Sequence, residues 1–268
     1  MSSIVILGDS AATGVGDQVA ENIYRGWGHY LFESLVDIQE YHNISRPGAR
    51  VNDLLYSQLP IALSIKPKIA IFIIGGNDVL RNNFNPSKMF LQLDKLIKTL
   101  QETGCEVYAM NLHDPTKILP IPAVLKKILK RRVLAVNEIY DALVIKSNLK
   151  LLDIPSKEEV YDLNFWHVDR MHPNRIGHQK LATYFANLLR KNGYKTKPIY
   201  VENLLPKSRF TNLVWMLKNG TPWFLKRSID LLPVILFLTF CEFFKLTDRI
   251  APKFEPSISR AEDFELIA

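Results

Sequence analysis

Five short apolar runs alternate along the chain with longer stretches whose apolar positions recur at helical spacing. The first run, Ser3-Ile4-Val5-Ile6-Leu7, stops at Gly8-Asp9-Ser10, and its β-branched content over so few residues predicts a buried strand. Trp27 to Ile38 sets Trp27, Tyr30, Leu31, Leu35 and Ile38 on one helical face. Tyr41 to Ser45 reads as a second strand, ended by Arg46-Pro47-Gly48, where proline second and glycine third suit a type II turn. Val51 to Leu59 follows as a helix. Lys68 to Ile74 is apolar after its lysine, the pattern of a strand covered on both faces, and it runs straight into Gly75-Gly76-Asn77-Asp78. Pro86 to Thr103 is amphipathic, with Gly104 placed for a C-cap before a strand from Glu106 to Asn111. Pro122 to Ser147 has a helical pattern with a basic stripe, Leu149 to Ile154 is a fifth strand, and Pro173 suits the first turn of a helix reaching Leu189.

Strands alternating with helices predict an α/β fold with a five-stranded parallel sheet, right-handed crossovers and helices on both faces. In such sheets ligands bind at the carboxyl ends of the strands. The stretch from Asp9 to Arg25, with Gly14 and Gly16, is expected to be a loop beside that edge. Residues 1–192 are expected to form one domain, 193–209 a basic linker and 210–268 a C-terminal helical extension.

Composition changes this picture only at the C-terminal end. With 47% apolar and 10% aromatic residues, a chain of 268 residues has enough apolar surface for a substantial core. The net charge of +7 invites a nucleic-acid or membrane reading. Between Arg190 and Asp230, however, nine basic side chains face two acidic ones, which accounts for the whole excess and leaves the rest balanced. No recognition motif accompanies that charge, so no nucleic-acid partner is expected. The extension reads as two helices, 210–218 and 222–245, docked on the domain or on another subunit. A second reading makes 210–247 a peripheral membrane contact, with Trp215, Trp223 and Phe224 in the headgroup boundary and Lys218, Lys226 and Arg227 on anionic lipid. The apolar run from Leu231 to Cys241 is too short to span a bilayer. Cys105 and Cys241 lack metal spacing, and a strand beginning so near Met1 leaves no space for a cleavable leader, which points to a cytoplasmic location.

Candidate chemistry collects where strands end and the last helix begins. A serine hydroxyl becomes a nucleophile when an imidazole takes its proton and an acceptor fixes the imidazole's tautomer. Ser10, His172 and Asp169 can fill those places, since Asp169 lies three positions before His172. The backbone N–H groups of Ser10 and Gly48 and the side-chain amide of Asn77 are the candidate donors to a developing oxyanion. Each also has an ordinary reading. Ser10 could cap a helix, Gly48 could serve its turn, Asn77 or Asp78 could cap a helix start, and Asp169 and His172 could be solvated loop residues. Competing motifs fail: there is no Gly-x-Ser-x-Gly, no Walker loop, and Val19 occupies the third glycine position after Gly14 and Gly16. His29, His42, His113, His167 and His178 have no metal-ligand pairing and read as packing or surface residues.

Gly8-Asp9-Ser10, Gly48, Gly75-Gly76-Asn77-Asp78 and Asp169-x-x-His172, in that order over roughly the first 190 residues, resemble the four blocks of the SGNH (GDSL-type) hydrolases. Ala11 stands where that family often has leucine, a position without chemistry that bears on subfamily. The resemblance implies a three-layer flavodoxin-like fold with strand order 2-1-3-4-5. It also implies Ser10 as nucleophile, Asp169 and His172 as its partners, and Ser10, Gly48 and Asn77 as oxyanion donors. Neither cofactor nor metal is expected. The activity implied is hydrolysis of small-molecule or lipid carboxylic esters through an acyl-enzyme, with an acyltransferase or a non-enzymatic binding module on the same scaffold as alternatives.

Overall fold

A computed structural model describes residues 2–202, apart from 22 and 82, and residue 240. Apart from Phe240, which is helical, the expected helices 210–218 and 222–245, with Cys241, lie outside the described residues. Strands β1 (Ser3–Gly8), β4 (Glu40–Asn43), β5 (Ile69–Ile73), β6 (Glu106–Met110) and β7 (Lys150–Leu152) form one parallel sheet in the order β4-β1-β5-β6-β7. In chain order of the five strands this is 2-1-3-4-5, as the family resemblance implies. Two minor strands, β2 (Gln18–Ala20) and β3 (Ile23–Tyr24), pair antiparallel in a hairpin.

Alternation along the central strands divides the core into two layers. Val5 and Leu7 of β1 and Ala70 and Phe72 of β5 face α4 (Leu59–Ile65), α5 (Pro86–Gln101) and α6 (Ala123–Ser147). Ile4, Ile6, Ile69, Ile71 and Ile73 face α2 (Gly26–Ser34) and α7 (Arg175–Lys191). Each inward-facing residue is nearly inaccessible, so every strand position of β1 and β5 contributes to one layer or the other. Trp27 of α2 stacks on Phe185 of α7 at 4.7 Å between ring centres. On the opposite layer, Tyr140 of α6 donates to the carbonyl of Ile74 at 2.9 Å, which fixes that helix beside the end of the central strand.

Several boundaries differ from the sequence expectation for identifiable reasons. The stretch after Asp9 contains one turn of helix, α1 (Ser10–Thr13), as well as the hairpin; both are too short to show a period. The helix read as Val51 to Leu59 continues to Ile65 in three pieces: α3 (Val51–Asp53), a π-helical turn Leu54–Gln58, and α4. Pro60 has no N–H to give to the preceding turn, so it closes one register and opens the next instead of ending the element. Pro173 lies before α7 and not in its first turn. Asn174 is the N-cap, accepting from the N–H of Gly177 at 3.0 Å. The start of the expected linker is fastened to the domain: Val36 N–H donates to Lys195 O at 3.1 Å, Lys197 N–H to Ser34 O at 2.7 Å, and Tyr194 is buried.

The π-helical turn puts Gln58 under the end of β1. Its side chain accepts from Gly8 N–H at 2.8 Å and donates to Gly8 O at 2.9 Å, satisfying both backbone groups where β1 leaves the sheet. Gln58 is 1% exposed, so no water replaces it easily. Gln58→Ala strands the buried N–H of Gly8, whose carbonyl keeps the N–H of Arg46 at 3.0 Å, and is expected to lower unfolding free energy by roughly 1–3 kcal/mol, read from urea denaturation. A loss below about 0.5 kcal/mol would contradict that role.

Candidate active site at the carboxyl edge of the sheet

The site begins with a strand end that only glycine allows. Gly8 has φ +134°, and a Cβ there would meet the carbonyl oxygen of Ile73 at 2.2 Å. The next residue, Asp9, is the N-cap of α1: Oδ1 accepts from Ala11 N–H at 3.0 Å. The capping role open to Ser10 in sequence is therefore taken by its neighbour, and the Ser10 hydroxyl is left for other contacts.

Those contacts come from the loop before α7. His172 Nε2 lies 2.8 Å from Ser10 Oγ, and His172 Nδ1 lies 2.9 Å from Asp169 Oδ2. Asp169 Oδ1 accepts from the N–H groups of Met171 and His172 at 2.9 and 3.0 Å, so one carboxylate oxygen shapes the turn and the other faces the ring. Burial alone would raise the Asp169 carboxyl. Hydrogen bonds from His167 and His172 and the N–H of Met171 outweigh it and hold the group well below the usual carboxylate range. An ionised carboxylate can only accept, which places the ring proton on Nδ1 and leaves Nε2 to accept from the serine hydroxyl.

The candidate oxyanion donors gather at the same edge. Arg46 O accepts from Ala49 N–H at 3.1 Å and Gly48 has φ +81°, as a type II turn requires. Asn77 Nδ2 donates to Ala49 O at 3.1 Å and makes a longer contact of 3.4 Å with Asp9 Oδ2. The amide is thus held between the turn carrying Gly48 and the strand end carrying Ser10. Asp78 does sit at a helix start, but of a distant helix: its oxygens lie 3.3 and 3.4 Å from Val51 N at the start of α3.

Several supporting residues have no signal in the sequence. Buried Asp17 accepts from Tyr30 Oη and from Arg175 Nε, each at 2.8 Å, joining the loop before the hairpin to α2 and α7. His178 is buried, accepts from Trp27 N–H at Nδ1 (3.3 Å), and has Nε2 3.0 Å from Val15 O; burial holds its ring down to about 4, so it stays neutral and packs, as read. His113 is likewise pushed down to about 4 by burial and lies 4.4 Å from the Trp166 ring. His167 Nδ1 is 3.5 Å from Asp169 Oδ2, a second imidazole on the same carboxylate. Arg170 takes φ +55°, an unfavourable backbone for a residue with a Cβ, and its guanidinium donates to Ile118 O at 3.2 Å.

A three-layer α/β/α sheet with a carboxylate, an imidazole and a hydroxyl in hydrogen-bonded line at its carboxyl edge has the architecture of an ester hydrolase. The sequence pattern of the GDSL-like lipase/acylhydrolase family matches residues 6–180, and the chain belongs to that family. It is a carboxylic ester hydrolase. Among solved structures, a lipase/acylhydrolase from Enterococcus faecalis superposes with a TM-score of 0.58 at 20% identity, over 74% of this chain and 100% of that one. An acetylxylan esterase from Geobacillus stearothermophilus, a catalytic mutant, gives 0.56 at 17% identity over 72% and 95%. The psychrotrophic esterase EstA from Pseudoalteromonas sp., inhibited by monoethylphosphonate, gives 0.54 at 19% identity over 71% and 98%. At these identities the likeness is one of fold. No curated protein matches the chain.

Two further carboxyls at this edge are held in the opposite sense to Asp169. Burial raises Asp9 to about 6, against the N–H of Ala11 and the charge of His172, and burial raises Asp78 to about 6, against the N–H of Val51 and Arg50. For Asp9 the folded chain therefore takes up a proton between pH 6 and 4 that the unfolded chain does not yet bind. Its contribution to stability is greatest below pH 4 and is lost as pH rises through about 6. Asp9→Asn removes that dependence. Relative to the unsubstituted protein, the variant should gain on the order of 2–3 kcal/mol in unfolding free energy at pH 7 over its difference at pH 4. The same difference at both pH values, measured by urea unfolding, would show that Asp9 does not carry a raised pKa.

Proposed function

We propose that this chain hydrolyses carboxylic esters through an acyl-enzyme on Ser10, with His172 as general base and acid and Asp169 as the group that orients it. What carries the reading is the unbroken line from Asp169 Oδ2 to His172 Nδ1 and from His172 Nε2 to Ser10 Oγ, at 2.9 and 2.8 Å. Ser10 Oγ attacks the ester carbonyl as its proton moves to His172 Nε2, forming the C–O bond and placing negative charge on the former carbonyl oxygen. That oxygen is received by the N–H groups of Ser10 and Gly48, which no hydrogen bond occupies among the described residues, and by Asn77 Nδ2. Asn77 has one hydrogen on Ala49 O and the other on the long contact to Asp9; the oxyanion takes the second. Collapse breaks the bond to the alcohol, which leaves with the proton from His172. Water activated by the same imidazole then attacks the acyl-enzyme, releases the acid and restores Ser10.

The proposed catalytic unit lies within residues 1–192, and the substrate is a small-molecule or lipid ester. Acetylated carbohydrate is one such class, as the name of the Geobacillus stearothermophilus esterase indicates for that protein.

Ser10→Ala is expected to abolish both turnover of p-nitrophenyl acetate and labelling by a fluorophosphonate probe, followed by intact-protein mass; turnover at the unsubstituted rate would refute the nucleophile. Asn77→Ala should lower kcat by on the order of 10² to 10³ with little change in KM. If KM rises instead while kcat holds, Asn77 binds ground state and is not an oxyanion donor.

A further inference from the structure

On the side of the sheet edge carrying Asp78 lies a cavity of about 270 Å³ whose wall includes Arg50, Arg81, Lys88, Asp78, Asn85 and Phe84. Arg50 follows Ala49, whose carbonyl holds the Asn77 amide, and Asp78 follows Asn77 itself. Two of the residues lining the cavity are thus chain neighbours of the proposed oxyanion region, and the Asp78 carboxyl, 3.3 Å from Val51 N, joins the two segments.

The lining is polar and its charges are unbalanced. None of Arg50, Arg81 and Lys88 forms an ion pair among the described residues, although Arg50 is near enough to Asp78 to favour its ionised form. With Asp78 ionised the three cations leave a formal excess of two positive charges, and with Asp78 protonated an excess of three. A fourth guanidinium lies just behind the wall. Arg132, 1% exposed, sits 5.4 Å from the Phe84 ring centre and donates through Nη1 to Val79 O and Arg81 O at 2.8 and 2.6 Å. Its Nε and Nη2 have no hydrogen-bond partner among the described residues. A buried guanidinium with an unsatisfied edge costs stability unless an anion lies within reach of its field.

We propose that this cavity is a subsite for a phosphoryl group carried by the ester substrate. The inference rests on the serine-hydrolase reading for its substrate but not for its binding chemistry. A phosphomonoester carries close to two negative charges at neutral pH, matching the excess in the cavity, and two guanidinium forks with an ammonium and neighbouring amides suit its oxygens. A neutral acyl chain would leave the same cations desolvated and unpaired, which disfavours the cavity as an acyl pocket.

The test uses the full chain. Calorimetric titration with glycerol 3-phosphate is expected to give saturable binding that weakens with added salt and falls about tenfold or more in Arg81→Gln/Lys88→Gln. Lys88→Gln alone, at an exposed position, should show a smaller loss in the same direction and serves if the double variant does not fold. A second measurement compares kcat/KM for the acetyl ester of glycerol 3-phosphate with that for acetylated glycerol. The ratio should favour the phosphorylated ester and drop about tenfold or more in the double variant. A long-chain 1-acylglycerol 3-phosphate, preferred over the acetyl ester, would mark the phosphoryl group as a lipid headgroup; the reverse order would mark a free phosphorylated metabolite. Absence of glycerol 3-phosphate binding, or equal affinity in the unsubstituted and double-variant proteins, would overturn the subsite. Binding that depends on the two cations, with no hydrolysis of any of these esters, would uphold the subsite and refute the serine-hydrolase reading.

Discussion

The close contact of Gly8 with the end of β5 is the constraint on which the site depends. Because a side chain at that position would collide with Ile73 O, the two central strands approach until backbone meets backbone, and β1 turns out of the sheet with φ +134°. The N–H of Gly8 is taken by the Gln58 side chain, and its carbonyl accepts from both Gln58 Nε2 and the N–H of Arg46, so the turn is closed from two sides. The chain then has one direction left, which puts Asp9 at the cap of α1 and Ser10 immediately after it. The hydroxyl is aimed by the backbone, and its own side-chain entropy is a small part of what must be fixed.

His172 reaches that hydroxyl from 162 positions away, through a loop held by several anchors at once. Asp169 Oδ1 closes the turn on two N–H groups, His167 N–H donates to His172 O, and Asn174 caps α7 directly behind. Arg170 occupies a left-handed backbone in the middle of this loop, and its hydrogen bond to Ile118 ties it to the segment following β6. A strained residue held by surrounding contacts is what a rigidly placed imidazole needs, since a shift of about 1 Å in the base lowers the rate far more than it lowers stability.

Much of this was legible because the informative residues are punctuation. Gly8, Gly48 and the Gly75-Gly76 pair end strands or make turns, and each stands beside a residue with chemistry, so a reading of periods locates the edge of the sheet and the site together. Ser10, Asn77, Asp169 and His172 do meet at that edge. The one-turn helix α1 and the hairpin of β2 and β3 escaped because neither is long enough to repeat a pattern. The helix read as ending at Leu59 runs on because the N–H that Pro60 lacks is absorbed by a π-helical turn that also brings Gln58 to Gly8. Asp17, Arg175 and Arg132 could not be foreseen, because each is polar, lacks a motif and becomes significant only through a partner far along the chain.

The carboxyls at the edge show how one small region shifts its acids in opposite directions. Asp169 sits among donors and is kept ionised; Asp9 and Asp78 lie deeper, with burial the largest influence on each, and are raised to about 6. All three are within a few residues of the proposed reacting atoms, so their separation decides the local field. In the proposed mechanism an ionised Asp169 favours positive charge on His172 as the tetrahedral intermediate forms, whereas charge on Asp9 beside Asn77 opposes the developing oxyanion. Asp9 gives up its charge only as pH falls through about 6, whereas Arg50, Arg81, Lys88 and buried Arg132 place permanent positive charge beyond Asp78 and offset both acids on the proposed oxyanion side.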